Sequence, residues 1–189
     1  MWPVAAVSVA AVAAYSYFSG PRNTTTVRGS DGHDYQMQNL PDKDKAVELM
    51  VDIRKRLGSL RDYYASEPAL AADPPIARFL ANYKDDVFAE NDVSSADTSY
   101  SENKGQRIVV CLRDKTRPPY PLIDINTIMF VMLHEMSHLM TETIGHTPEF
   151  WLNFKRALGD ALKVGIYQQV NYAQSPVKYC GMTITDSPL

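Results

Sequence analysis

The stretch DINTIMFVMLHEMSHLMTETIGHTPEFW, residues 124–151, decides the fold. Asp124 stands where an N-cap belongs, and the pattern predicts a helix from there through Thr143. Gly145 ends that helix. Thr147-Pro148 starts the next, with cap and first-turn proline in their preferred places and a stripe of Trp151, Phe154, Leu158 and Leu162. Inside the first helix lies His134-Glu135-Met136-Ser137-His138. Residues four apart sit one turn apart on the same face, so both imidazoles can reach one zinc at about 2.0–2.1 Å. Glu135 projects beside them, placed to take a proton from an activated water and return it to a leaving amine. The competing reading is a helix with two incidental histidines. Against it, Phe130, Val131, Leu133 and Leu139 imply burial, and a buried His pair with a buried Glu is costly without a partner. A metal removes that cost. Met129, Met132, Met136 and Met140 follow helical spacing and read as core.

A catalytic zinc takes a third protein ligand and keeps one position open. Downstream the candidates are Glu142, His146, Glu149, Asp160 and Asp186. His146 follows Gly145, where the chain can fold back toward the metal. Glu142 lies one turn beyond His138, and a third ligand on the same helix stretches the geometry. Glu149 is explained by its place in the first turn of the next helix. Asp160 requires that helix to pack across the site. His146 is the preferred third ligand.

His134-Glu135-Met136-Ser137-His138, followed by Gly145-His146-Thr147-Pro148-Glu149-Phe150-Trp151, resembles the SprT-like and WLM zinc metallopeptidases. The similarity spans about residues 105–165, including a β-strand before the active-site helix. It implies an α+β zincin-like domain, with an active-site helix, a small sheet and flanking helices. It also implies zinc as cofactor, His134, His138 and His146 as its ligands, and Glu135 as general base. The chain differs from the family's repair members, which carry DNA- or ubiquitin-pathway segments. Thr141 stands where metzincins carry glycine, and no glutamate follows Glu149 to serve as a gluzincin ligand.

Composition bounds the rest. A chain of 189 residues with 45% hydrophobic residues can bury one real core. A net charge of −3 gives no footprint of a nucleic-acid binder. Two cysteines, Cys111 and Cys180, are too few for a four-thiolate zinc site. Cys111 reads as a buried free thiol. Its pairing with Cys180 is the alternative, which would imply an oxidising compartment.

Residues 1–20 hold no charged side chain, and Trp2, Tyr15, Tyr17 and Phe18 flank a run of Ala and Val. This predicts an N-terminal transmembrane helix. A cleaved signal peptide is the alternative, although no basic region precedes the apolar run. Arg22 and Arg28 follow the span, which leaves the C-terminal body on the cytoplasmic side. The sequon at Asn23 points the other way.

Residues 21–40 then read as a linker and 41–189 as the peptidase domain. Ala46, Val47, Met50, Ile53, Leu57, Leu60 and Tyr64 predict a first helix. Asp73 reads as the cap of a second, with a stripe of Ile76, Phe79, Leu80 and Tyr83. Residues 89–106 read as a loop. Arg107 to Arg113 is the strongest strand, a candidate edge for pairing with an extended substrate. A short strand is expected at 179–184. Tyr167, Tyr172 and Tyr179 read mainly as packing residues, and one of them could serve an oxyanion.

The resulting expectation is a membrane-anchored zinc metallopeptidase acting on polypeptides, with no sequence signal for its oligomeric state. Its rivals are an assembly protein that keeps the fold without turnover and a hydrolase of non-peptide amides. Full-length protein is expected to pellet with membranes and resist alkaline extraction, while residues 21–189 stay in the supernatant. A mature N-terminus mapped near residues 15–20 replaces the anchor with a signal peptide.

Overall fold

A computed structural model describes residues 23–102 and 105–189. The largest element is helix α1, Lys43–Ser66, and every residue of its expected apolar stripe is buried. A short turn of helix, α2 (Pro68–Ala71), leads to α3, Pro74–Asn82, which buries Ile76 and Phe79. Asp73 holds the N-cap position of α3, but its carboxylate accepts from Arg156 at 2.9 Å instead of from the helix backbone. Helix α4 spans Ile125–Met140, and α5 spans Pro148–Val164. Helix α4 ends at Met140, one turn before the expected Thr143, because Thr141 is already extended.

Five strands form one sheet in the order β1-β2-β3-β5-β4: Thr24–Arg28, Asp34–Gln38, Phe88–Glu90, Arg107–Val110 and Tyr100–Glu102. β2, β3 and β5 run parallel; β1 pairs antiparallel with β2, and β4 with β5. Helices α1, α3, α4 and α5 pack with the sheet around a single core. A separate hairpin, β6 (Val177–Tyr179) and β7 (Met182–Ile184), closes the chain. Its turn, Cys180-Gly181, has positive φ at both residues, the geometry favoured in two-residue hairpins.

Three sequence expectations are corrected here. Residues 24–38 are a β-hairpin, not a linker, and Tyr35 and Met37 enter the core. The hairpin seats against α1 at Gly29, where a Cβ would lie 2.5 Å from Val51 Cγ2. Residues 89–106 contain part of β3 and all of β4, strands of three residues each whose pairing with β5 supplies what their sequence lacks. The strand expected at Arg107 to Arg113 is regular only through Val110, and it is not an edge: β3 and β4 flank it, so the free edge on this side is β4.

Among the described residues no helix is long and apolar enough to cross a membrane. The transmembrane expectation falls on residues 1–20, outside the described residues.

Two long-range ties fix the sheet. Arg113 is 1% exposed, and its Nε donates to Glu90 at 2.7 Å while Nη1 lies 2.8 Å from Asp42. Glu90 also accepts from the Gln38 N–H at 2.7 Å, so one buried carboxylate joins β2, β3 and the segment after β5. Burial raises its carboxyl above the usual range, against the pull of that N–H and of Arg113. The second tie corrects the free-thiol reading: Cys111 and Cys180 form a disulfide, with Cα atoms 6.1 Å apart. It joins the end of β5 to the β6–β7 turn, where the Tyr179 hydroxyl lies 2.6 Å from Ser99 Oγ. That same oxygen accepts from the Cys111 N–H. The bond spans 69 positions, and closing a loop of that length is worth about 4 kcal/mol in the chain-entropy account. Cys111→Ser is expected to lower the urea midpoint by that amount of stability, and reduced wild type should match it. Equal midpoints for oxidised and reduced protein would contradict the expectation.

Candidate metal centre

Helix α4 starts firmly, because the Asp124 carboxylate accepts from the N–H groups of Asn126 and Thr127 at 2.9 and 3.2 Å. Two and a half turns on, His134 and His138 stand on one face with ring centroids 5.0 Å apart. The chain then folds back through residues 141–147. Gly145 makes the reversal at φ 85°, a conformation that favours glycine. Glu149 holds the turn from the far side. Its carboxylate accepts from the N–H groups of Glu142 and Thr143 at 3.0 and 3.2 Å and from Thr143 Oγ1 at 2.9 Å. Thr147 caps α5 by accepting from the Phe150 N–H. Asn153 Nδ2 donates to Thr141 Oγ1 at 2.9 Å, tying the turn to α5.

This corner delivers His146 to the other two histidines. Its Nε2 lies 3.0 Å from His134 Nε2, and the three residues offer nitrogens all within 4.8 Å of one another. Tetrahedral zinc with bonds of about 2.0–2.1 Å would separate its ligand nitrogens by roughly 3.3 Å, so the cluster is of the size a metal ion requires. Phe150 is fully buried beneath it, with its ring centroid 4.8, 4.4 and 4.7 Å from those of His134, His138 and His146. Trp151 and Phe154 flank the corner as expected, 5.9 Å from His146 and 5.2 Å from His134. Burial first, then its two histidine neighbours, push the His134 imidazole down to about 3. It therefore stays neutral, the form that ligates metals. Three imidazoles suit zinc and several other transition ions equally by donor type.

Glu135 is 8% exposed and accepts a hydrogen bond from the Ser101 N–H of β4. Burial pushes its carboxyl up to about 7. The three histidines, Glu135, β4 and residues 143–145 enclose a cleft of about 600 Å³. The free edge strand thus forms one wall of the cleft.

The other ligand candidates are used elsewhere. Glu142 lies 3.6 Å from Arg78, and Glu149 supports the turn. Asp160 binds Lys163 at 2.7 Å and Tyr64 at 3.2 Å, away from the cleft. Asp186 lies near His134 but outside the cluster. None of Tyr167, Tyr172 and Tyr179 lines the cleft: the first two pack on Phe130, and the third binds Ser99. Sequence reasoning did not identify the role of Ser101 or of Phe150. The first sits in a polar segment with no strand pattern. The second is one aromatic among several at a helix start.

No family model matches the sequence. Uncharacterized protein R325 of Acanthamoeba polyphaga mimivirus is 32% identical over 157 residues, covering 82% of this chain and 79% of that protein. Uncharacterized protein 042R of Invertebrate iridescent virus 3 is 31% identical over 122 residues, 65% of this chain and 71% of that one. Uncharacterized protein 136R of Invertebrate iridescent virus 6 is 34% identical over 83 residues, under half of each chain. Among solved structures, Wss1 from Saccharomyces cerevisiae superposes with a TM-score of 0.51 at 20% identity, over 69% of this chain and 91% of that one. The chain thus shares the fold of Wss1.

Titration with zinc is expected to saturate at one ion per chain and to raise the melting temperature. At 100 times the dissociation constant, the gain is about 2.7 kcal/mol. His146→Ala should lose most of that gain while its helical circular dichroism stays intact. Full zinc stabilisation of this variant would remove His146 from the ligand set.

Proposed function

We propose that this chain, which belongs to the same family as the mimivirus protein R325, is a zinc-dependent peptidase acting on extended polypeptides. The observation that carries the reading is the placement of Glu135. A buried carboxylate beside three converging imidazoles, opening onto a free strand edge, is a poor arrangement for stability and a useful one for hydrolysis.

Zinc held by His134, His138 and His146 would polarise the scissile carbonyl and make a water acidic enough to be deprotonated near neutral pH. The residues of the chain do the rest. Glu135 takes the proton from the attacking water and returns it to the departing amine nitrogen, so the carboxylate is regenerated each turn. The Ser101 N–H keeps that carboxylate oriented. The edge of β4 offers its outward backbone groups to an extended chain, which then lies across the three histidines. Edge pairing is thereby assigned to β4 and withdrawn from β5.

An assembly protein that kept the fold without turnover would have no use for a buried Glu135, which favours the enzyme. The membrane anchor at residues 1–20 remains part of this proposal and rests on their uncharged sequence. Arg22 and Arg28 favour a cytoplasmic domain, whereas the Cys111–Cys180 bond favours an oxidising compartment.

Glu135→Gln is expected to keep one zinc per chain, to melt no lower than wild type, and to lower casein hydrolysis at least about 100-fold. Undiminished hydrolysis by that variant would sink the mechanism. Loss of zinc would instead make Glu135 a support for the metal.

A further inference from the structure

The cleft is not the only hollow that His134 borders. A second, of about 290 Å³, shares the His134 ring as a wall and is otherwise built from different parts of the chain. Phe130 lies one turn before His134 on the same face of α4. Trp151 and Phe154 come from α5. The remaining wall is the C-terminal tail, residues 186–188. The aromatic rings pack on one another, with centroids 5.2 Å apart for Phe130–Phe154 and 6.2 Å for Trp151–Phe154. Phe154 also lies 5.2 Å from His134. The tail is held in place from two sides. Ile184 is buried in the core just before it, and the disulfide fastens the β6–β7 turn to β5.

We infer that this hollow is a specificity subsite, which takes the large apolar side chain of a residue flanking the scissile bond. The inference rests on the peptidase reading and adds the chemical class of residue it selects. Continuity locates the occupant: a chain lying across the histidines passes the shared wall, and one side chain can drop behind His134. Size limits it, since 290 Å³ is roughly ten water volumes, room for one aromatic or long aliphatic group. Chemistry selects it. Three aromatic rings and Pro188 form most of the lining, and Asp186, the one carboxylate there, is exposed to solvent. Transfer of such a side chain from water into an apolar pocket favours it over alanine by about 10- to 100-fold. Trp151 is 47% exposed, so the hollow's apolar lining reaches the surface.

Trp2 and Trp151 are the two tryptophans, so full-length Trp2→Phe protein reports on the hollow through Trp151 alone. Its fluorescence is titrated, with and without zinc, against the N-acetyl amides of phenylalanine, leucine, alanine and lysine. Phenylalanine and leucine amides should give a saturable change at least about 10-fold tighter than alanine and lysine. Deleting residues 186–189 should erase the preference. In parallel, the cleavage sites of zinc-loaded wild type are mapped on a peptide library. Large apolar residues should dominate one flanking position, and Trp151→Ala should raise KM for those peptides more than for alanine peptides. No saturable change, tightest binding by the lysine amide, or a preference that survives removal of the tail overturns the subsite. Cleavage indifferent to the flanking residue also overturns it, while leaving the peptidase reading intact. Apolar binding without cleavage of any peptide overturns the peptidase reading instead.

Discussion

Helix α4 has to satisfy two opposed demands, and the rest of the structure follows from them. Eleven of its sixteen residues are buried, so it needs partners on nearly every side. Yet His134, Glu135 and His138 must reach an opening. The sheet, α1, α3 and α5 enclose its methionine-rich faces. The opening is confined to a narrow arc between β4 and the turn after Met140. A helix buried on all faces would close the histidines off from any cleft, and one exposed on half its surface would leave them solvated and mobile.

The turn after α4 is where stability and site geometry meet. Its backbone donors at Glu142 and Thr143 are satisfied by Glu149, a residue of the following helix. Packing of the three imidazoles over the buried Phe150 ring joins the same junction to α5. The geometry of His146 is therefore set by α5 as much as by its own loop. Glu149, which sequence reasoning weighed as a ligand, instead fixes the backbone that carries His146.

A second set of constraints holds the sheet that forms the opposite wall. The Arg113–Glu90 pair is almost wholly desolvated, and removing one partner of such a pair typically costs about 3–5 kcal/mol. It clamps β2 and β3 to the chain leaving β5. The disulfide does the same for the C-terminal hairpin and thus for the tail beside His134. Strands of three residues such as β4 have little cohesion of their own, so the position of Ser101 against Glu135 depends on these distant ties.

What the sequence determined by itself was everything set by neighbours within about one helical turn. The stripe of α1, the Asp124 and Thr147 caps, the four-residue spacing of His134 and His138, and the reversal at Gly145 are local patterns with local causes. His146 was within reach because one short turn, eight positions long, joins it to His138. Tertiary structure decided the rest. The hairpin at 24–38 looked like a linker because Thr, Gly and polar residues dominate it, and only α1 and β3 give Tyr35 and Met37 something to be buried against. β3 and β4 are strands because β5 lies between them, a pairing that three residues of sequence cannot announce. The Cys111–Cys180 bond, the seating of Ser101 on Glu135 and the tail beside His134 join positions 34 to 69 residues apart. Such contacts depend on where the whole chain has been folded, and no local period encodes them.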